Sequence, residues 1–328
     1  MQTALLPRTR RGKGPWWTVA AAICASLGLL ALSPPLRATE LGAYRGPGCD
    51  GRKAMAVFES FVGRKVERTV DALNQESWPA MRSSISWIAK CWSGSGIALT
   101  LSVPMLPKDH GGTLEEGADG KFDAIFAETA HQLVATGQPD AVVRIGWEFN
   151  GDWMPWAAAR DPEAYRRYFR RIVEVMRREP GQRFRFEWCP NHGRKQMDPA
   201  LAYPGDDVVD IIGMDVYAET WNAATADPTL RWRYFLDQPF GLKWHRDFAA
   251  AHGKAMSYPE WGVGTRPDGH GVGDDAVFVA GMADWFAEVK PLYQSYWDVH
   301  ASDYNAQMSD GQFPRASATF RKRFGVGG

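Results

Sequence analysis

Beyond residue 40 the hydrophobic positions fall into two alternating patterns. Short, nearly continuous apolar runs occur at Leu41–Tyr44, Val66–Leu73, Ile97–Val103, Ala141–Ile145, Phe184–Trp188, Val208–Val216, Ala255–Trp261 and Leu292–Val299. Runs of this length and composition predict strands buried on both faces. Between them apolar residues recur at spacings of three and four, which predicts helices over Lys53–Val62, Trp78–Trp92, Phe122–Thr136 and Phe240–Ala251. Asp161-Pro162 signals a further helix start, with Asp as N-cap and Pro in the first turn. That helix carries Tyr165, Phe169, Ile172, Val173 and Met176 on one face and a run of arginines on the other, which reads as a solvated face. Asp274 or Asp275 caps another helix running to about Lys290.

The strand starts, near 41, 66, 97, 141, 184, 208, 255 and 292, step by about 36 residues on average, (292 − 41)/7. That step suits one strand-plus-helix unit with loop insertions, and alternation implies a parallel sheet with right-handed crossovers. Eight such units predict an α/β fold of the closed (β/α)₈ barrel type, a single domain over 39–328. No G-x-G-x-x-G follows the first strand, which removes the usual sign of a dinucleotide-binding sheet.

Charge changes the picture at the N-terminus. Lys and Arg total 38, as do Asp and Glu, but Arg8, Arg10, Arg11, Lys13 and Arg37 precede residue 39 with no acid among them. The body therefore has 38 − 5 = 33 basic and 38 acidic residues, a net of −5, and lacks the clustered cations that nucleic-acid binding needs. Residues 1–38 read as a basic start, an apolar run from Trp16 to Leu32 and a small-residue exit at Ala38, the form of an export signal. An uncleaved membrane anchor is the alternative reading of the same segment. The expected location is secreted or otherwise extracytoplasmic. Removing residues 1–38 leaves Cys49, Cys91 and Cys189. Cys49 and Cys91 are the pair favoured for a bridge, because Cys189 lies within its own strand signal, and unpaired buried thiols are the alternative. None has metal-site spacing.

The candidate chemistry sits at two strand ends. Ala141–Ile145 leads into G-W-E-F-N-G-D-W-M-P-W, which places Glu148 where barrel enzymes carry catalytic groups, at the C-terminal mouth of strand four. S-Y-P-E-W-G places Glu260 likewise on strand seven. Two carboxylates across one barrel mouth, ringed by indoles that can stack on sugars, are what glycoside hydrolysis requires.

W-E-F-N-G-D-W-M-P-W resembles the acid/base segment of glycoside hydrolase family 26, and S-Y-P-E-W-G-V its nucleophile segment. W-C-P-N (188–191), V-D-I-I-G-M-D-V-Y (209–217) and the Trp297 region extend the resemblance over roughly residues 40–325. It implies a retaining (β/α)₈ glycosidase with Glu148 as acid/base, Glu260 as nucleophile and Tyr217 as a hydrogen-bond donor to the nucleophile. Trp153 and Trp297 would stack on sugars flanking the scissile bond, and Trp147, Asn150, Trp156, Asn191 and Trp221 would contribute to substrate binding. Arg144, inward on strand four, is expected either to pair with a catalytic carboxylate or Asp215, or to form a purely structural ion pair. Many family 26 mannanases place His immediately before the acid/base, where this chain has Trp147, so mannan specificity does not follow from the resemblance. The expectation is an exported, monomeric, endo-acting hydrolase of a β-linked polysaccharide, with no organic cofactor or metal and a carboxyl separation of about 5–5.5 Å, the retaining geometry. A transglycosylase acting on the cell's own exopolysaccharide and a non-catalytic glycan-binding barrel are the alternatives.

Overall fold

The computed structural model describes residues 38–221 and 223–326. Residues 1–37, nearly all of the segment read as an export signal or anchor, lie outside the described residues. Nine strands follow the expected order: β1 (Glu40–Tyr44), β2 (Arg68–Ala72), β3 (Ala98–Val103), β4 (Val142–Ile145), β5 (Arg185–Trp188), β6 (Ile211–Gly213), β7 (Val216–Ala218), β8 (Ala255–Val263) and β9 (Tyr293–Trp297). Every pairing is parallel, and β1 pairs with β9, so the sheet closes into a barrel. Both β6 and β7 pair with β8, through Ile211–Ala255 and Val216–Trp261, and thus form one stave interrupted at Met214 and Asp215. The barrel therefore has eight staves, the architecture expected from the strand spacing.

The expected helices are present as α1 (Gly48–Val62), α2 (Trp78–Trp92), α4 (Asp123–Ala135), α5 (Pro162–Met176), α7 (Leu242–Ala251) and α8 (Ala276–Val289). Three more were not anticipated: α3 (Leu114–Ala118), α6 (Pro228–Asp237) and α9 (Pro314–Phe324). Caps act where the sequence placed them. Asp161 accepts the Ala164 N–H at the head of α5, and Asp275 accepts those of Val277 and Phe278 at the head of α8. A disulfide joins Cys49 on α1 to Cys91 on α2, with Cα atoms 4.8 Å apart, while Cys189 is free and buried.

Two kinds of core result. Outside the staves, Met55, Phe58 and Val62 of α1, Ile85 and Ile88 of α2 and Phe169 and Ile172 of α5 join one continuous apolar cluster. Inside, the packing is strongly polar. Near the bottom Arg68 bonds Glu40 at 2.7 Å and lies over the Tyr293 ring, and Glu187 on β5 accepts from Ser257 on β8 and Tyr293 on β9. Contacts that cross between distant staves place these side chains within the barrel. They form the floor beneath the site.

Candidate active site

At the end of β4 the chain turns abruptly. Gly146 and Glu148 both take left-handed backbone, with φ of 52° and 53°. Gly146 is needed there, since a Cβ would sit 2.3 Å from the Met105 sulfur. Glu148 has no such exemption, and a non-glycine residue in this region is strained by about 1–3 kcal/mol. The Glu148 N–H donating to the Cys189 carbonyl at 2.8 Å helps hold it. The turn delivers the Glu148 carboxyl to a cleft of about 690 Å³ that Glu260 also lines.

Neutral donors surround Glu148. The Trp153 indole N–H donates to Oε2 at 2.7 Å, and the Asn191 amide donates to Oε1. Burial, followed by the nearby charge of Glu260, raises its pKa against those two donors. Glu260 has different company. Arg144 Nη1 donates to Oε1 at 2.6 Å and the Tyr217 hydroxyl donates to Oε2 at 2.8 Å. Burial and then the Glu260 charge push the Tyr217 pKa far up, so the phenol keeps its proton and remains a donor.

Arg144 is the hub of the floor. Besides Glu260 it bonds Ser102 at 3.1 Å and Asp215, its Nε lies 3.9 Å from Glu187, and its guanidinium sits under the Trp147 ring at 5.2 Å. Burial works against its charge, but Asp215, Glu260 and Glu187 together hold it well above the usual arginine range. Burial conversely raises the carboxyls of both Asp215 and Glu187. Arg144 thus contacts Glu260 and Asp215 at once.

Trp147, Trp153, Trp221, Trp297 and Asn191 all line the cleft. Trp153 is 47% exposed and packs edge-on against Gly151, where a Cβ would come within 2.3 Å of the indole. Trp221 is 58% exposed and stacks on His270. Trp297 stacks on Tyr44 with ring centroids 4.1 Å apart. Two residues expected to contribute to substrate binding, Trp156 and Asn150, do not line the cleft. Trp156 is 0% exposed; its N–H donates to the Trp147 carbonyl and its ring packs on Trp147, so it supports that indole from behind. Asn150 is also fully buried, exchanging hydrogen bonds with the Asn191 backbone and so fixing the β4 and β5 exits to each other. Arg144 is equally inaccessible and acts through Glu260.

Other cleft residues escaped the sequence reading. Asp71, at the end of β2, accepts the Trp92 indole and the Gly48 N–H at the head of α1, each at 2.7 Å, and burial raises its pKa to about 6. Its place at a strand end was a readable signal. Tyr44, Asp152, Lys195, Glu219, Arg266 and Asp303 complete much of the rim and come largely from loops, which carry no periodic pattern. Among the described residues no cluster of His, Cys, Asp and Glu is arranged to hold a metal ion.

The model of Glycosyl hydrolase family 26 matches residues 115–231, a stretch that includes Glu148, Asn191 and Tyr217 and stops short of Glu260. The resemblance read from the motifs is borne out by this match. No curated protein sequence matches the chain. Among solved structures it is similar to an endo-beta-1,4-mannanase double mutant from Cellulomonas fimi, at 18% identity and a TM-score of 0.64, covering 88% of this chain and 72% of that one. A GH26 beta-mannanase from Bacteroides ovatus aligns at 16% identity and 0.57, over 87% and 88% of the two chains. A fungal beta-1,4-galactanase aligns at 12% and 0.61, over 88% and 100%. At these identities the structural likeness is one of fold.

Proposed function

We propose that this glycoside hydrolase, similar to family 26, cleaves a β-linked polysaccharide by double displacement. The observation that carries the reading is the unequal setting of the two carboxyls. Glu148, its pKa raised by burial and by Glu260, holds a proton that it gives to the glycosidic oxygen as the C–O bond breaks. Glu260, held in place by hydrogen bonds from Arg144 and Tyr217, forms the new bond to the anomeric carbon. Glu148, now a carboxylate, then takes a proton from water as that water attacks the glycosyl-enzyme. The fold likeness to mannanases and a galactanase supports a β-mannan or related β-glycan as substrate. Three indoles lining the cleft, Trp153, Trp221 and Trp297, offer several stacking surfaces and support endo action on a long chain. Residues 1–38 would direct export, and the Cys49–Cys91 disulfide supports an oxidising destination.

Purified residues 39–328 incubated with mannan, galactan, xylan and mixed-linkage glucan provide the test. Proton NMR of the first products is expected to show the anomeric configuration of the substrate. The opposite anomer as first product would overturn double displacement.

A further inference from the structure

The cleft continues past the two carboxyls. Beyond Asn191 and Tyr217 it opens into a second cavity of about 210 Å³, with Asn191, Lys195, Tyr217, Glu219 and Trp221 common to both. The charge changes sign along the way. In the main cleft Asp71, Glu148, Asp152, Glu219, Glu260 and Asp303 outnumber Lys195 and Arg266. In the second cavity Arg194 and Lys195 face Glu219 alone.

Glu219 is already engaged, since Arg266 donates to it at 2.8 Å and the Trp221 indole at 3.0 Å. His192 adds no charge. Burial lowers its pKa to about 3, and its ring stacks on Phe235 while Nε2 bonds the Phe235 carbonyl. Asp152, on the acid/base loop, accepts from Gln196, and Asp198, the nearest acid in sequence, accepts the Ala200 N–H. Among the described residues the charged groups of Arg194 and Lys195 meet rings instead of acids: Arg194 lies over Phe240 at 5.3 Å and Lys195 over Trp153 at 5.8 Å. The arginines on the outer face of α5 differ in this respect. Along α5, Arg166, Arg167, Arg170 and Arg171 pair with Glu163, Asp119, Asp207 and Asp123.

We propose that the second cavity is a subsite for a carboxylate carried on the glycan, as on a uronic acid or a carboxyl-bearing substituent. Arg194 offers a planar fork suited to a carboxylate, and Lys195 a mobile ammonium beside it. The position relative to the chemistry follows from a short chain of contacts. Lys195 lies against the Trp153 ring, and the Trp153 N–H is 2.7 Å from Glu148. A sugar neighbouring the scissile bond on the acid/base side therefore directs its substituents toward the cations. The location of the glycan rests on the proposed function; the cationic character of the cavity does not.

The test compares neutral and carboxymethylated forms of the same mannan, galactan and mixed-linkage glucan, by titration calorimetry and by rate of hydrolysis. At low ionic strength the protein is expected to bind the carboxymethylated form about tenfold more tightly, the size of one charged hydrogen bond, and the ratio is expected to fall with added salt. Arg194→Ala with Lys195→Ala brings the ratio to about one. Arg194→Glu, which changes a residue lying outside the main cleft, inverts it. A ratio near one in the unaltered protein, or one that neither variant moves, overturns the subsite. A tenfold ratio without hydrolysis of either form leaves the subsite standing and removes the hydrolase reading; hydrolysis with equal affinities does the reverse.

Discussion

Glu148 lies just past one stave and Glu260 within the mouth-side half of another, and both line one cleft, yet their hydrogen-bond donors are entirely different. Glu148 receives two neutral donors, an indole and an amide, and is shut into the apolar company of Trp147 and Trp153. Glu260 receives a guanidinium and a phenol, and the guanidinium is tied in turn to Asp215. The same side chain is thereby given two characters. Desolvation raises the pKa of Glu148, whereas Arg144 and Tyr217 each hold one oxygen of Glu260 in a fixed position. The difference teaches that role at this site is set by what each carboxyl touches, and it can be attacked from either side.

The largest effect is expected at the nucleophile. Glu260→Ala removes the atom that forms the covalent bond, and kcat should fall by on the order of 10⁴-fold or more. Added azide should restore turnover on an activated aryl glycoside and give a product of inverted configuration. Glu148→Gln should cost about 10²–10⁴-fold on polysaccharide, the usual worth of a general acid. The loss should shrink on aryl glycosides whose leaving group needs no proton. Equal losses on both substrates would mean that Glu148 is not the acid, and the asymmetry would have no catalytic meaning.

How much of this was legible in the chain differs by element. Strand starts expected from apolar runs fall within three residues of those observed, because parallel strands covered on both faces read as unbroken hydrophobic stretches. The interruption of the sixth stave at Met214–Asp215 left no trace in V-D-I-I-G-M-D-V-Y. Three helices were missed for separate reasons. With only five residues, α3 is too short to show a period, while α6 buries Arg231 against Asp275 where a pattern reader expects an apolar residue. On α9 the buried face relies on Ala316, Ser317 and Phe320 amid basic residues. At the site, Glu148 and Glu260 were visible because each stands at the C-terminal end of an apolar run. Asp71 stands near the end of such a run as well and was passed over. Trp156 was misplaced because an indole in a loop looks the same whether it faces the cleft or packs behind Trp147. Only tertiary packing separates the two.

On the Glu260 side the comparison depends on Arg144, and Arg144→Met tests it. The variant keeps volume but leaves Asp215 and Glu187 buried without their cation, which should destabilise the fold by about 3–5 kcal/mol in urea unfolding. Both carboxyls already have pKa values raised by burial, and losing Arg144 raises them further. A carboxyl whose folded pKa exceeds its unfolded value stabilises the fold below the unfolded value, about 4, and this is lost as pH rises through the folded one. The deficit of the variant should therefore shrink as pH is lowered toward that range. A deficit independent of pH would mean that packing, and not charge, is what Arg144 supplies.

The smallest effect is the most discriminating on the Glu148 side. Trp153→Phe keeps an aromatic ring in the cleft and deletes the N–H that bonds Oε2 together with the smaller ring that carries it. That hydrogen bond favours the ionised form of Glu148 and opposes the burial that raises its pKa. Without it the pKa climbs further, so the basic limb of the kcat/KM profile, where the acid loses its proton, should move to higher pH by roughly half a unit to one unit. Trp153→Ala deletes the same donor and the stacking surface too, and should add a rise in KM to the same displaced limb. A limb that stays put in the Phe variant would show that Asn191 and burial alone fix the acid. A limb that moves to lower pH would mean that the indole works mainly by excluding water, so that losing it resolvates the carboxyl and the neutral-donor half of the comparison gives way to desolvation.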